Sequence, residues 1–171
     1  MRVVTLFASA LFMTLGPVGL AQAQAPAAVF HGEERDWRIF TRGDGAERVC
    51  YVQSTPQESN PANTDHGDVF FLVASWANGD AIEQPSFLAG HTLRPDSPPR
   101  IRIGSDRYRM YVDGREGFVE DPDQQDDLVG DMRRGSVMRV EATHGDGTLV
   151  VYEFSLSGIT AALQDARRRC R

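Results

Sequence analysis

Apolar and polar residues alternate along much of the chain, which is the spacing of β-strands with one buried face. The alternation is cleanest in residues 100–103 and 107–112, and Gly104-Ser105-Asp106 between them predicts a hairpin turn. Residues 69–74 are apolar without a break, which predicts a central strand buried on both faces. The predicted strands are residues 36–41, 48–53, 69–74, 86–89, 100–103, 107–112, 117–119, 137–142 and 148–154.

About eight or nine short strands predict a mostly β fold, an antiparallel sandwich or barrel. The 171 residues suit one domain with a sizeable core. We assign residues 35–171 to this domain and expect residues 24–34, which are small and polar, to form a flexible leader. Residues 56–67, rich in Ser, Asn, Pro, Asp and Gly, predict a long loop.

The pattern changes to a helical one in two places. A short acidic helix is predicted after Asp121, which is an N-cap residue followed by Pro122 at the first helical position and Gln124 at the capping-box position. Arg133 and Arg134 suit its carboxyl end, and a glycine follows. Its predicted core residues are Leu128, Val129 and Met132. A C-terminal helix is predicted from near Ser157, with one face formed by Ile159, Ala162, Leu163, Ala166 and Cys170.

The amino terminus has the pattern of a secretory signal peptide over residues 1–23. Arg2 supplies the positive charge, residues 3–15 form the apolar segment, and Ala21-Gln22-Ala23 offers a small-x-small cleavage site. The apolar segment is shorter than the ~20 residues of a membrane-spanning helix. We therefore expect export to the periplasm, the cell surface or the medium, with no transmembrane segment after cleavage.

Composition and charge narrow the class of partner. The chain has 24 acidic and 18 basic residues and a net charge of −6, and every basic residue is arginine. This charge balance argues against a nucleic-acid partner, because the phosphate backbone attracts basic surfaces.

Cys50 and Cys170 are the two cysteines of the sequence. In an oxidising compartment an even count favours a disulfide, and Cys170 lies on the inward face of the predicted C-terminal helix. The alternative is a pair of unpaired buried thiols. Zinc binding is disfavoured, because a structural site needs four ligands.

The predicted hairpin carries a candidate anion-binding patch. Arg100, Arg102, Arg107 and Arg109 occupy its polar positions, so they share one solvent-facing side. Guanidinium groups bind carboxylate and phosphate strongly, which suggests acidic sugars or anionic lipid headgroups as ligands. The alternative is a face that only favours solubility.

No catalytic or metal-binding motif is evident. His31, His66, His91 and His144 are far apart in sequence, and we expect them to be solvated loop residues. Trp37 and Trp76 are expected in the core or on a sheet surface, with a carbohydrate platform as a lesser alternative.

Short motifs lie in a fixed order along most of the chain, from Trp37 to Cys170. They are Cys50-Tyr51 before Pro56, Ile103-Gly104 before Tyr108, Asp131-Met132-Arg133-Arg134-Gly135, Met138-Arg139-Val140 and the Phe-Ser-Leu-Ser-Gly-Ile-Thr-Ala-Ala-Leu segment at residues 154–163. In this order they resemble the invasion-associated locus B family of secreted bacterial proteins. The chain departs from the family pattern at Gly117-Phe118, where members often have Ala-Trp. The resemblance implies a small periplasmic or surface-associated β protein, linked in some pathogens to host-cell entry.

Together these features predict an exported, non-enzymatic binding or envelope-associated protein. Its expected partner is an envelope or host component, and no cofactor or metal is expected. One alternative is a periplasmic hydrolase that acts on envelope sugars through Glu116 paired with Glu120 or Asp121, because glycoside hydrolysis uses two carboxylates across a cleft. The other alternative is a structural subunit of an envelope complex.

Overall fold

Residues 26–171 are described by a computed structural model and form two antiparallel β-sheets and two α-helices. The predicted signal peptide lies outside the described residues. The strands are β1 Val29–Glu34, β2 Trp37–Arg42, β3 Val49–Ser54, β4 Glu58–Asn60, β5 Phe70–Trp76, β6 Gln84–Leu88, β7 Arg100–Ile103, β8 Asp106–Arg109, β9 Tyr111–Asp113, β10 Glu116–Phe118, β11 Val137–Thr143 and β12 Leu149–Ser155. The helices are α1 Pro122–Arg134 and α2 Ile159–Arg169.

The first sheet has seven strands in the order β1-β2-β3-β5-β6-β10-β9, and the second has five in the order β4-β12-β11-β7-β8. The chain changes sheets several times, and the shortest of these connections is the single residue Met110 between β8 and β9. The Met110 amide donates to the Pro99 carbonyl at 3.0 Å, so the crossing residue keeps a backbone partner.

Side chains from the two sheets meet in one apolar core. Phe71 of the first sheet packs against Phe154 of the second with ring centroids 5.9 Å apart, and Phe87 packs against Tyr152 at 5.6 Å. The indole of Trp37 is fully buried and donates to the Ser155 carbonyl at 3.1 Å. The two-layer arrangement confirms the predicted mostly β class, as a sandwich with a C-terminal helix.

The described residues contain twelve strands, more than the eight or nine predicted. The predicted strand over residues 107–112 is divided at Met110, where the chain changes sheets. The others that were missed are β1 and β4, which lie at the edges of the two sheets. Their side chains are mostly exposed, so neither carries the apolar alternation by which a strand is detected.

The flexible leader assigned to residues 24–34 is wrong for its second half, because Val29–Glu34 is β1. Phe30 pairs with Phe40 across β1 and β2, and their ring centroids lie 5.4 Å apart. The Arg38 guanidinium lies over both rings, at 5.0 Å and 5.2 Å. Backbone pairing and this aromatic contact order the strand although it buries little apolar surface.

Strand β5 is not buried on both faces as predicted. Phe71 and Val73 are buried in the core, but Phe70, Leu72 and Ala74 are half-buried on the outer face of the first sheet. The outer face of this sheet is therefore apolar without being covered by another layer of the described chain.

Helix α1 begins and ends as predicted. The Asp121 carboxylate accepts the Asp123 amide at 2.9 Å, which caps the first turn. Gly135 follows the helix, and its amide donates to the Asp131 carbonyl at 2.8 Å. A Cβ at Gly135 would lie 2.7 Å from Ile103 Cγ2, so the close approach of the β7 end requires glycine here.

Helix α2 packs against β2 and β3 of the first sheet. Its apolar residues are buried as the spacing predicted. Gly158 precedes the helix at φ 93°, and a Cβ there would lie 2.0 Å from the Glu34 carbonyl oxygen. Both the left-handed backbone and the contact with the end of β1 require glycine at this position.

Candidate functional site

The four arginines of the candidate patch lie together on the β7–β8 hairpin. Arg100 stands directly opposite Arg109, and Arg102 stands opposite Arg107. All four side chains are exposed, whereas the alternating residues Ile101, Ile103 and Tyr108 are buried. The hairpin thus presents one charged side, which we call the arginine face, defined by Arg100, Arg102, Arg107 and Arg109.

Strand geometry sets the spacing of the arginine face. Directly opposite residues on antiparallel strands have Cβ atoms roughly 4.5–5.5 Å apart, and residues two apart along a strand are separated by about 6.6 Å. The four guanidinium groups therefore spring from a compact two-by-two array. They line a shallow cleft of about 260 Å³. β8 is the last strand of its sheet, so one long side of the array is open.

None of these four arginines has an acidic side chain within 4.0 Å in the part of the chain that the structure describes. The neighbouring Arg139, in contrast, pairs with Glu153. Glu141 stands beside Arg100 in the strand register and lines the cleft without forming an ion pair. Like charges placed directly opposite each other destabilise a sheet. The arginine face therefore concentrates positive charge and lowers the stability of the folded protein.

The buried side of the same hairpin is fixed to helix α1. The Tyr108 hydroxyl donates to Asp131 Oδ2 at 2.5 Å, and Asp131 also accepts from Arg134 at 2.5 Å. Burial, followed by the hydrogen bond to Asp131, raises the pKa of Tyr108 well above its usual value. Tyr108 consequently stays a neutral donor, and the strand that carries Arg107 and Arg109 is held in place.

The carboxylates of the hydrolase alternative are not brought into one cleft. Glu116 lines a concavity of about 530 Å³ on the outer face of the first sheet. Glu120 and Asp121 line a different concavity of about 490 Å³, beside Arg109. Asp121 is also the N-cap of α1. Glycoside hydrolysis uses two carboxylates across one cleft, and here Glu116 lines a different concavity from Glu120 and Asp121.

Three of the four histidines lie in loops, as predicted, but they are half-buried or buried rather than solvated. His66 Nδ1 lies 3.0 Å from the Tyr152 hydroxyl, and His91 Nε2 lies 3.1 Å from the same oxygen. The His91 ring lies 4.3 Å from the ring of His144, between centroids. His91 is only 8% exposed. The histidines come from three separate loops, so no local spacing could reveal that they meet.

His31 is exposed, as predicted, but it lies on β1 and not in a loop. It contacts the Thr41 hydroxyl at 2.8 Å and the Arg169 guanidinium at 3.1 Å. Within residues 26–171 no group of three or more His, Cys, Asp or Glu side chains is arranged to hold a metal ion.

The predicted disulfide is present between Cys50 and Cys170, with Cα atoms 5.8 Å apart. It joins β3 to the end of α2 across 120 residues of chain. Cys50 is 1% exposed. The bond therefore ties the C-terminal helix to the inner side of the first sheet.

The two tryptophans have different environments. Trp37 is a core residue. Trp76 is half-buried and lines the large concavity on the outer face of the first sheet, together with Tyr51, Leu72 and Phe118. We call this outer surface the aromatic face, defined by Tyr51, Leu72, Trp76 and Phe118.

Comparison of the chain with protein-family models, with curated proteins and with solved structures gives no match. The resemblance to the invasion-associated locus B family, the export of the protein and its lack of enzymatic activity therefore stay predictions. Within the described range no helix is long and apolar enough to cross a membrane.

Proposed function

We propose that this protein is an exported, non-enzymatic binding protein of the bacterial envelope and that the arginine face is its ligand-binding surface. The observation that carries the proposal is the set of four exposed arginines, opposite one another and without acidic partners in the described chain. A protein with a net charge of −6 has many acidic side chains with which arginines can pair. On this hairpin the positive charge is left available to a ligand.

The chemistry of the arginine face selects anionic groups. Guanidinium groups bind phosphate, sulfate and carboxylate through two parallel hydrogen bonds, which gives orientation as well as attraction. The two-by-two array matches a ligand that carries two or more such groups roughly 5–7 Å apart. Acidic envelope polysaccharides and anionic lipid headgroups share this chemistry.

Export supports the same assignment. The signal-peptide pattern and the Cys50–Cys170 disulfide both suit an oxidising compartment outside the cytoplasm. The resemblance to the invasion-associated locus B family supports a ligand on the bacterial envelope or on a host-cell surface.

The test is a charge-matched pair of double variants. Arg102→Gln with Arg107→Gln removes one opposed pair from the arginine face, and Arg167→Gln with Arg168→Gln removes the same charge from the exposed side of α2. Binding is measured by calorimetry against polygalacturonate and against vesicles of phosphatidylglycerol in phosphatidylcholine, at low and high salt. We expect the Arg102/Arg107 variant to weaken binding to at least one of the two probes by about tenfold, which is about 1.4 kcal/mol of binding free energy. The Arg167/Arg168 variant should leave the binding nearly unchanged.

The two probes separate the sources of the anionic group, because one is a soluble sugar polymer and the other is a membrane surface. Binding must also weaken with added salt, since exposed charges are screened. An equal loss of binding in both double variants would mean that binding depends only on the net charge of the protein, and it would overturn the assignment of the arginine face. Binding to neither probe would overturn it as well.

A further inference from the structure

The Tyr152 hydroxyl contacts two histidines, of which His91 is buried and His66 is half-buried. Tyr152 lies on β12 and is fully buried. His66 Nδ1 and His91 Nε2 both lie within hydrogen-bond distance of its oxygen, at 3.0 Å and 3.1 Å. We call His66, Tyr152 and His91 the histidine–tyrosine chain.

In each imidazole the inner nitrogen faces Tyr152, and the outer nitrogen, on the other side of the ring, faces a backbone carbonyl group. His66 Nε2 lies 3.0 Å from the Pro61 carbonyl oxygen, and His91 Nδ1 lies 3.1 Å from the Thr92 carbonyl oxygen. A carbonyl oxygen only accepts hydrogen bonds, so both outer nitrogens must carry hydrogen. A neutral imidazole has one N–H. When both rings are neutral, both inner nitrogens are therefore acceptors.

This arrangement lacks one proton. Two acceptor nitrogens face the single hydroxyl proton of Tyr152, so only one of the two contacts is a hydrogen bond. In the other tautomer of either ring, the hydrogen is on the inner nitrogen and can be donated to Tyr152. The outer nitrogen of that ring then has a lone pair that faces a carbonyl oxygen at 3.0–3.1 Å, which is repulsive. A buried polar group without a hydrogen-bond partner destabilises the folded protein. One added proton completes both contacts without disturbing either carbonyl bond.

We propose that the folded protein holds one extra proton on the histidine–tyrosine chain, as an imidazolium at His66, and that this proton fastens the loop of residues 61–67 to the core. In this state the His66 ring donates to both the Pro61 carbonyl and the Tyr152 oxygen. The Tyr152 hydroxyl then donates to His91 Nε2.

The surroundings favour His66 over His91 as the site of the charge. His91 is buried, and its pKa is lowered mainly by burial; His144 and His66 add to the lowering, while the Thr92 hydrogen bond and Asp146 oppose it. His66 is only half-buried and can be partly solvated. The positive charge therefore sits at the solvent side of the histidine–tyrosine chain.

The charged groups around the chain come from several elements. Asp65 lies next to His66 on the same loop, where its carboxylate accepts the Gly67 amide at 3.0 Å. His144, on the β11–β12 turn, packs against His91 with the two rings tilted, and it contacts Asp146 at 3.1 Å. Burial raises the pKa of Tyr152 to about 12, so the tyrosine remains a neutral donor near neutral pH.

The backbone fixes the two histidines relative to each other. A Cβ at Gly90 would lie 2.1 Å from the His66 carbonyl oxygen, so the His66 loop packs directly on the backbone next to His91. The same loop follows β4, the edge strand of the second sheet. Loss of the extra proton would loosen this loop without breaking the core.

The sign of the pH dependence follows from proton counting. Histidines in the unfolded chain release their protons near pH 6.5. A folded state that keeps one more proton is stabilised below that pH, and the stabilisation is lost as the pH rises and the folded form releases the proton. His91 acts in the opposite direction, because its lowered pKa adds stability above pH 6.5 that is lost as the pH falls.

The direct test is the tautomeric state of each imidazole, from long-range proton–nitrogen NMR of the ¹⁵N-labelled protein at pH 7. We expect two protonated nitrogens on His66 and a neutral His91 with hydrogen on Nδ1. In Tyr152→Phe the reason for the extra proton is gone, and His66 should become neutral with hydrogen on Nε2. A neutral His66 in the unaltered protein at pH 7 would overturn the proposal.

Hydrogen exchange supplies a second measurement that does not depend on the Tyr152 variant. After correction for intrinsic rates, the Thr64 and Gly67 amides should be several-fold better protected at pH 6.5 than at pH 8. His66→Gln should remove this difference, whereas His31→Gln, at an exposed histidine elsewhere, should keep it. The same difference in both variants would show that protonation of the chain does not hold the loop.

Discussion

The outer faces of the two sheets differ although the same alternation produces both. On the first sheet the outward positions carry the aromatic face, where Phe40 stacks on Tyr51 at 5.2 Å and Tyr111 lies 5.6 Å from Phe118. On the second sheet the outward positions of β7 and β8 carry only arginine. The outward residues of the first sheet therefore stabilise one another, whereas those of the β7–β8 hairpin repel one another.

Under the proposed function, this contrast separates residues that stabilise the fold from residues that bind a ligand. Apolar side chains on the aromatic face remove surface from water in the free protein. The exposed arginines gain nothing comparable in the free protein. Substitutions on the two faces should therefore change stability in opposite directions.

The largest effect is expected from the covalent tie of the first sheet. Replacing Cys50 and Cys170 together by alanine should lower the free energy of unfolding by about 4–5 kcal/mol, because the bond closes a very long loop of the unfolded chain. Urea unfolding measures this loss. Hydrogen exchange should rise first in α2 and β3, while the β7–β8 hairpin keeps its protection. A uniform loss of protection from hydrogen exchange in both sheets would mean that the sheets unfold as one unit.

A smaller loss is expected on the aromatic face. Leu72→Ala should destabilise the protein by about 1–2 kcal/mol, less than a fully buried leucine, because Leu72 is half-buried. Leu149→Ala is the control, since Leu149 is 61% exposed on the second sheet and should change stability by less than about 0.5 kcal/mol. Thermal unfolding of both variants checks the difference. No destabilisation by Leu72→Ala would show that the aromatic face contributes nothing to the free protein.

The smallest effect has the opposite sign. Arg102→Gln with Arg107→Gln should raise the free energy of unfolding by a few tenths to about 1 kcal/mol at low salt, because it relieves one opposed pair of like charges. The gain should fall as salt screens the repulsion. Denaturant unfolding at two salt concentrations measures it. A clear loss of stability would mean that these arginines support the fold, and the contrast between the two faces would fail.

Local pattern was enough to predict the hairpin and the helices. Ile101, Ile103 and Tyr108 alternate with arginine, so the buried and exposed sides of β7 and β8 follow from the sequence. The Asp121 cap and the spacing of Ile159 to Ala166 gave α1 and α2 in the same way. Each of these features is settled by residues a few positions apart.

Other features depend on contacts between distant segments, and the sequence did not reveal them. β1 is ordered by backbone pairing with β2 and has no apolar repeat of its own. The meeting of His66 and His91 at Tyr152 depends on how loops from different strands pack. The division of the predicted strand at Met110 depends on where the second sheet lies, and the alternation of apolar and polar residues does not show this.

The change of sheet at Met110 has a mechanical consequence. Arg109 and Tyr111 are separated by a single residue, yet they belong to strands in opposite layers. A pull exerted on the protein through a ligand held at Arg109 would load backbone ladders in both layers at once. Under the proposed function, a ligand bound at Arg109 would therefore be held by the backbone of β8 and β9, the last strands of both sheets, rather than by one edge strand alone.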